Sequence, residues 1–115
     1  MPATLLIPLY RDEVAPRFDL AGEALLVHLD ADGAELSRSS VLLAHASSEE
    51  LCRIALEEKV RAVICNGIDD EFWQYLRWKR IEVIDNVMGP VDEAIARFRA
   101  DVLRPGDILF HRSDA

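Results

Sequence analysis

The pattern of apolar and polar positions changes character at Ser47. Before it, the chain reads as strands. Thr4 to Tyr10 (TLLIPLY) is an apolar run of the kind that forms a buried strand. Pro8 lies inside it and predicts an edge or a bulge for part of that strand, because proline has no N–H to give to a ladder. Arg11 to Gly22 reads as a loop containing Pro16. Ala24 to Asp30 (ALLVHLD) is a second strand, Asp30-Ala31-Asp32-Gly33 a turn with Gly33 suited to positive φ, and Ala34 to Ala44 a third strand. Two strands around a short Asp/Gly turn form an antiparallel hairpin.

After Ser47 the period becomes helical. Ser47-Ser48-Glu49-Glu50 has the form of a capping box, with Ser47 as N-cap and Glu50 at the third position. Leu51, Ile54 and Ala55 then recur at helical spacing up to Val60. Ala62 to Cys65 (AVIC) is a short buried parallel strand ended by Asn66-Gly67. A second helix opens at Asp69. It is acidic at its start (Asp69, Asp70, Glu71) and basic at its end (Arg77, Lys79, Arg80), which complements the helix dipole. Ile81 to Ile84 is the next strand. Gly89-Pro90 starts a third helix with an apolar stripe of Val91, Ala94, Ile95, Phe98 and Val102, stopped by Pro105-Gly106. The element order β-β-β-α-β-α-β-α predicts an α/β fold, a mixed five-stranded sheet covered by helices. Residues 1–104 form a single domain in this scheme, and residues 105–115 a short C-terminal tail.

The chain has 115 residues, 50% of them hydrophobic and 30% charged, enough for one ordinary core. Net charge is −8, a sign that repels phosphate backbones, so no nucleic-acid partner is expected. No apolar run approaches the roughly 20 residues of a membrane span, so no membrane partner is expected either. The N-terminus has no basic, apolar and cleavage-site succession, which places the expected protein in the cytoplasm. Cys52 and Cys65 are the only cysteines and form no Cys-x-x-Cys pair.

In an open α/β sheet, ligands gather beyond the carboxyl ends of the parallel strands. Three segments meet there in this scheme: Arg11 to Phe18, Cys65-Asn66-Gly67, and Asn86 to Gly89. Gly67 and Gly89 either admit a ligand to the backbone or merely turn the chain. Helix N-termini follow both, but the carboxylates of Asp69, Asp70, Glu71, Asp92 and Glu93 already answer those dipoles. An anion would need Arg11 and Arg17 to offset that acidic rim. Cys65 either ligates a soft metal there or is a buried core thiol, while Cys52 reads as packing. His28, His45 and His111 lack metal-ligand spacing, and no nucleophile elbow, phosphate loop or His-Glu-x-x-His helix occurs. Helix 2 is aromatic-rich, and Trp78 falls off its sheet-facing side, marking a partner contact or simple lateral packing.

Taken in order, the loop ending Ala15-Pro16-Arg17-Phe18, the hairpin, VICNGI (Val63 to Ile68), VIDNVMG (Val83 to Gly89) and the helix from Val91 resemble the dinitrogenase iron–molybdenum cofactor biosynthesis family. That family takes in NifX-type carriers, the C-terminal region of NifB, and the orange protein. The resemblance spans about residues 4 to 104. It implies a ribonuclease H-like, three-layer α/β/α fold and a non-enzymatic carrier of a molybdenum-containing metal–sulfur cluster, of Mo–Cu or Fe–Mo type, or of its precursor. Partner proteins for cluster transfer are implied too. Many family members carry His-Phe-Gly after the first strand, where this chain has Arg17-Phe18-Asp19. Arginine can pair with an anionic cluster by charge-assisted hydrogen bonds. The expected cluster-binding set is Arg11, Arg17, Phe18, Cys65, Asn66, Gly67, Met88 and Gly89, with Cys65 as metal ligand. The alternative is a protein–protein interaction module with a degenerate site, binding through helix 2 and the tail.

Overall fold

The structure is a computed structural model that describes residues 2–110. Five strands lie in the order β4-β3-β1-β5-β6, and a two-residue strand β2 pairs with β1 off this path. Their ranges are Ala3–Tyr10 (β1), Glu13–Val14 (β2), Glu23–Leu29 (β3), Glu35–Leu42 (β4), Ala62–Ile64 (β5) and Glu82–Ile84 (β6). The β1, β3 and β4 strands are antiparallel, while β1, β5 and β6 are parallel. Helices α1 (Ser48–Glu57), α2 (Asp70–Trp78) and α3 (Val91–Arg99) complete the mixed α/β arrangement.

Side chains alternate across a strand, so a continuous apolar run serves two cores at once. Leu5, Ile7 and Leu9 of β1 join Leu25 and Val27 of β3 beneath Val91, Ala94 and Ile95 of α3. Leu6 joins Leu26, Val63 and Val83 beneath Leu51, Ile54 and Ala55 of α1 and Leu76 of α2. One helix on one face and two on the other give three layers.

Pro8 sits in the central strand, not at an edge. The parallel pairing with β5 covers Leu5 and Leu6, and β2 covers Leu9 and Tyr10, so Pro8 falls between two partners. Its carbonyl accepts from the Ala15 N–H at 2.9 Å. A strand residue's N and C=O share one edge, so the missing donor faces that gap and the β3 ladder loses nothing. The segment read as a plain loop, Arg11 to Gly22, carries β2 and a 3-10 turn over Phe18–Leu20.

The hairpin turn forms around Asp30, whose carboxylate accepts from the N–H groups of Asp32 and Ala34 at 2.8 and 3.0 Å, with Gly33 at φ 86°. The Ser47 hydroxyl caps α1 by accepting from Glu50 N–H at 3.0 Å. The Glu50 carboxylate turns to Arg53 instead, so the reciprocal half of the capping box is replaced by an ion pair.

Two expectations fail near the C-terminal end. Helix α3 stops at Arg99, and Asp101 takes φ 62°. The helical period ends with it, so Val102 is 53% exposed and Leu103 takes the buried place instead. The supposed tail also returns to the sheet. Met88 bridges Ile108 in parallel fashion, and Leu109 is 1% exposed inside the α3-side core. The domain therefore continues past residue 104; residues 111–115 lie outside the described residues.

Leu109→Ala is expected to destabilise the protein by about 3 kcal/mol in urea unfolding. Ile108→Ala, on the exposed neighbour, should stay within about 0.5 kcal/mol. Equal small effects at both positions would contradict the packing of this segment.

Candidate functional site

The carboxyl ends of β1, β5 and β6 do bring the three expected loops together. What joins them is main chain. Gly67 N–H donates to Pro16 O at 3.0 Å, and Phe18 N–H donates to Gly67 O at 2.7 Å. Val14 N–H reaches Gly89 O at 3.0 Å, and Val91 N–H reaches Asp12 O at 2.9 Å. Asn86 N–H donates to Asn66 O, Val87 N–H to Cys65 O, and Met88 N–H to Asp107 O. Donors expected to greet an anion at Gly67 and Met88 are thus used by the protein itself.

The glycines serve the same lacing. A Cβ on Gly67 would stand 3.1 Å from Pro16 O. Gly89 has φ 129°, and a Cβ there would stand 2.8 Å from the Leu109 Cβ. Close approach by the chain's own segments accounts for both residues.

The side chains divide into sealed and open sets. Cys65 is 0% exposed and packs in the core shared with α1 and α2. Burial, and secondarily the Asp85 carboxylate, push its thiol far above the ordinary range. Of the two sequence readings of Cys65, these surroundings are those of a buried core thiol. Phe18 is also sealed, as the apolar plug beneath the 3-10 turn. Cys52 is buried on α1 as expected, its thiol pushed up to about 11 by burial and then by Glu49.

The open set is Arg11, Arg17, Asn66 and Met88. Arg17 grips Asp19 through Nε at 2.9 Å and Nη2 at 2.6 Å, a bidentate pair at the surface. That hydrogen bond, with the Asp19 charge, raises its pKa further. Arg11, at φ 59°, lays its guanidinium 5.2 Å from the Tyr10 ring centroid. Beside Arg17 lies a mostly apolar hollow of about 270 Å³, lined by Tyr10, Pro16, Arg17, Leu20 and Gly22 among others. Tyr10 and Leu20 were not singled out in the sequence, though a leucine in a polar loop is a legible signal.

No group of three His, Cys, Asp or Glu residues placed to hold a metal ion occurs among the described residues. His28 shares a 3.2 Å hydrogen bond with the Thr4 hydroxyl, His45 is exposed, and His111 lies outside the described residues. On α2, Leu76 is buried and Phe72 and Trp73 are half-buried, as the spacing predicts. Trp78 is 73% exposed, with Lys79 Nζ 4.6 Å from its ring centroid and the Tyr75 ring 6.3 Å away. No helix is long and apolar enough to cross a membrane among the described residues.

A family model described as dinitrogenase iron–molybdenum cofactor matches residues 7–101. The chain belongs to this family. Three solved structures agree in fold. The crystal structure of PH0822 has 18% identity and a TM-score of 0.79, covering 89% of this chain and 93% of that one. MJ0327 of Methanocaldococcus jannaschii, described as a candidate dinitrogenase, has 23% identity and a TM-score of 0.73 over 90% and 93% of the two chains. TM1290 of Thermotoga, described as a candidate NifB protein of the DUF35 family, has 20% identity and a TM-score of 0.64 over 96% and 98%. No curated protein sequence matches the chain.

Both thiols should resist iodoacetamide in the folded protein at pH 8. For Cys52 the raised pKa alone slows alkylation by about 100-fold relative to a free thiol. The linked effect on stability has a definite sign. An unfolded thiol near its ordinary value of 9.0 ionises before the folded ones. Their contribution is therefore whole below about pH 9 and is lost as pH rises through the folded values. Urea midpoints from pH 7 to 10.5 should fall less steeply in Cys52→Ala/Cys65→Ala than in the parent.

Proposed function

We propose that this protein takes part in handling the iron–molybdenum cofactor of dinitrogenase, or a metal–sulfur precursor of it, as a non-enzymatic carrier. Family membership over residues 7–101 is the observation that carries the proposal. The cluster is cargo, held for transfer and not chemically changed. Since Cys65 is sealed and the loop N–H groups at Gly67 and Met88 are engaged, the contact is made from the rim. Arg17 exchanges Asp19 for the more highly charged sulfide or oxo surface, and Arg11 adds a second guanidinium. Charge-assisted hydrogen bonds of this kind need no protein sulfur ligand. Residence at such a site is short and salt-sensitive, which suits a carrier that must release what it holds.

A second use of the same fold has one observation in its favour. Trp78 is exposed beside Tyr75 and Lys79 on α2, an aromatic and cationic face suited to a partner protein. Such a module would dock cofactor-assembly proteins without contacting the cluster.

Anaerobic incubation with tetrathiomolybdate and Cu(I) should leave a visible charge-transfer band after desalting at low salt. Arg17→Ala should weaken retention about ten-fold, and Cys65→Ala should leave the band unchanged. A colourless wild-type product overturns the carrier. A band that Cys65→Ala abolishes in folded protein overturns the rim contact.

A further inference from the structure

At the opposite end of the sheet, where β5 and β6 begin, a second hollow of about 240 Å³ opens. Its lining includes Arg61, Arg99 and Arg104, with Glu82, Asp101 and the Phe98 ring. The three arginines come from separate places: the residue before β5, the last turn of α3, and the segment after α3. The ion pairs found among the described residues employ Arg17, Arg38, Arg53 and Arg97, and none employs these three. A chain of net charge −8 thus gathers three arginines outside its ion pairs around one hollow, against the two carboxylates of Glu82 and Asp101.

Two of them are held in place by main chain. Arg99 Nε donates to Gly33 O of the hairpin turn at 2.8 Å. Arg104 Nη1 donates to Leu103 O at 3.0 Å and Asp101 O at 3.3 Å. The carbonyl end of α3 explains why cations collect in its last turn. It does not explain Arg61, which the sheet delivers: Glu82 N–H donates to Arg61 O at 3.0 Å, and Arg61 N–H donates to Thr4 O at 2.8 Å. That same ladder places the Glu82 carboxylate as the opposing charge in the hollow.

We propose that this hollow binds a small dianionic tetrahedral oxyanion, of the phosphate, sulfate or molybdate class. Three arginines from separate segments line the hollow, and a guanidinium fork can give paired N–H donors to such an anion. Guanidiniums already tethered through Nε or one Nη keep their remaining donors pre-oriented, so less conformational entropy is lost on binding. The site lies at the other end of the sheet from the Arg17 rim and stands independently of the carrier proposal.

Isothermal titration at low ionic strength with sodium phosphate, sulfate and molybdate, against chloride at matched ionic strength, tests it. One saturable site is expected for at least one oxyanion, and the preferred ion identifies the source. Arg61→Gln and Arg104→Gln should each weaken it about ten-fold. Glu82→Gln should tighten it by removing the opposing charge, and Arg17→Ala should leave it unchanged. No saturable binding by any of the three oxyanions, an equal response to chloride, or indifference to both arginine variants overturns the site. The Glu82→Gln variant keeps the test independent of folding, since its predicted effect is a gain.

Discussion

Strand β1 is hydrogen-bonded along both edges and buried on both faces, and the remaining architecture depends on that double commitment. Its antiparallel edge accepts β3 along seven paired positions, from Ala3 opposite Leu29 to Leu9 opposite Glu23. Its other edge is shared in sequence by β5 and then β2. An apolar run meets both demands because alternate residues supply separate cores, one under α3 and one under α1 and α2. Pro8 is tolerated at the one step where an absent donor interrupts neither partner.

The same economy of main-chain bonds shapes the end of the sheet where a ligand is expected. Loops that converge at strand ends bring buried carbonyls and N–H groups with them, and those groups must be paired. Here they pair with one another, from Gly67 to Pro16 and from Gly89 to Val14. The crown becomes a surface laced by main chain, with exposed side chains such as Arg11 and Arg17 at its rim. That arrangement suits recognition of a charged object from outside better than enclosure of one.

Much of this was legible in the residues. The Ser47 cap, the Asp30 turn and the two-faced run of β1 follow from local hydrogen-bonding capacity and period, and each formed. The meeting of the three loops followed from the element order, because parallel strands joined by helices place their carboxyl ends together. The state of Cys65 did not follow. A cysteine at the end of AVIC stands equally well at a mouth or in a core, and the packing of Phe18 and Leu6 into the same cluster decided it. Val102 and Leu103 exchanged roles because the helix ended at a left-handed residue, Asp101, that the apolar spacing does not announce. Leu109 was hidden for a related reason: three residues bridging to Met88 have too few positions to show a period.

By itself the sequence determined the five main strands and three helices, their order, the two apolar faces and the family, since all of these depend on residues near one another or on ordered motifs. Only the tertiary structure decided which polar groups remain free. Whether Gly67 N–H meets a ligand or Pro16, and whether Arg61, Arg99 and Arg104 surround one hollow, are questions of long-range proximity. Solvent access and electrostatic pairing belong to atoms from distant parts of the chain, and no local pattern encodes them.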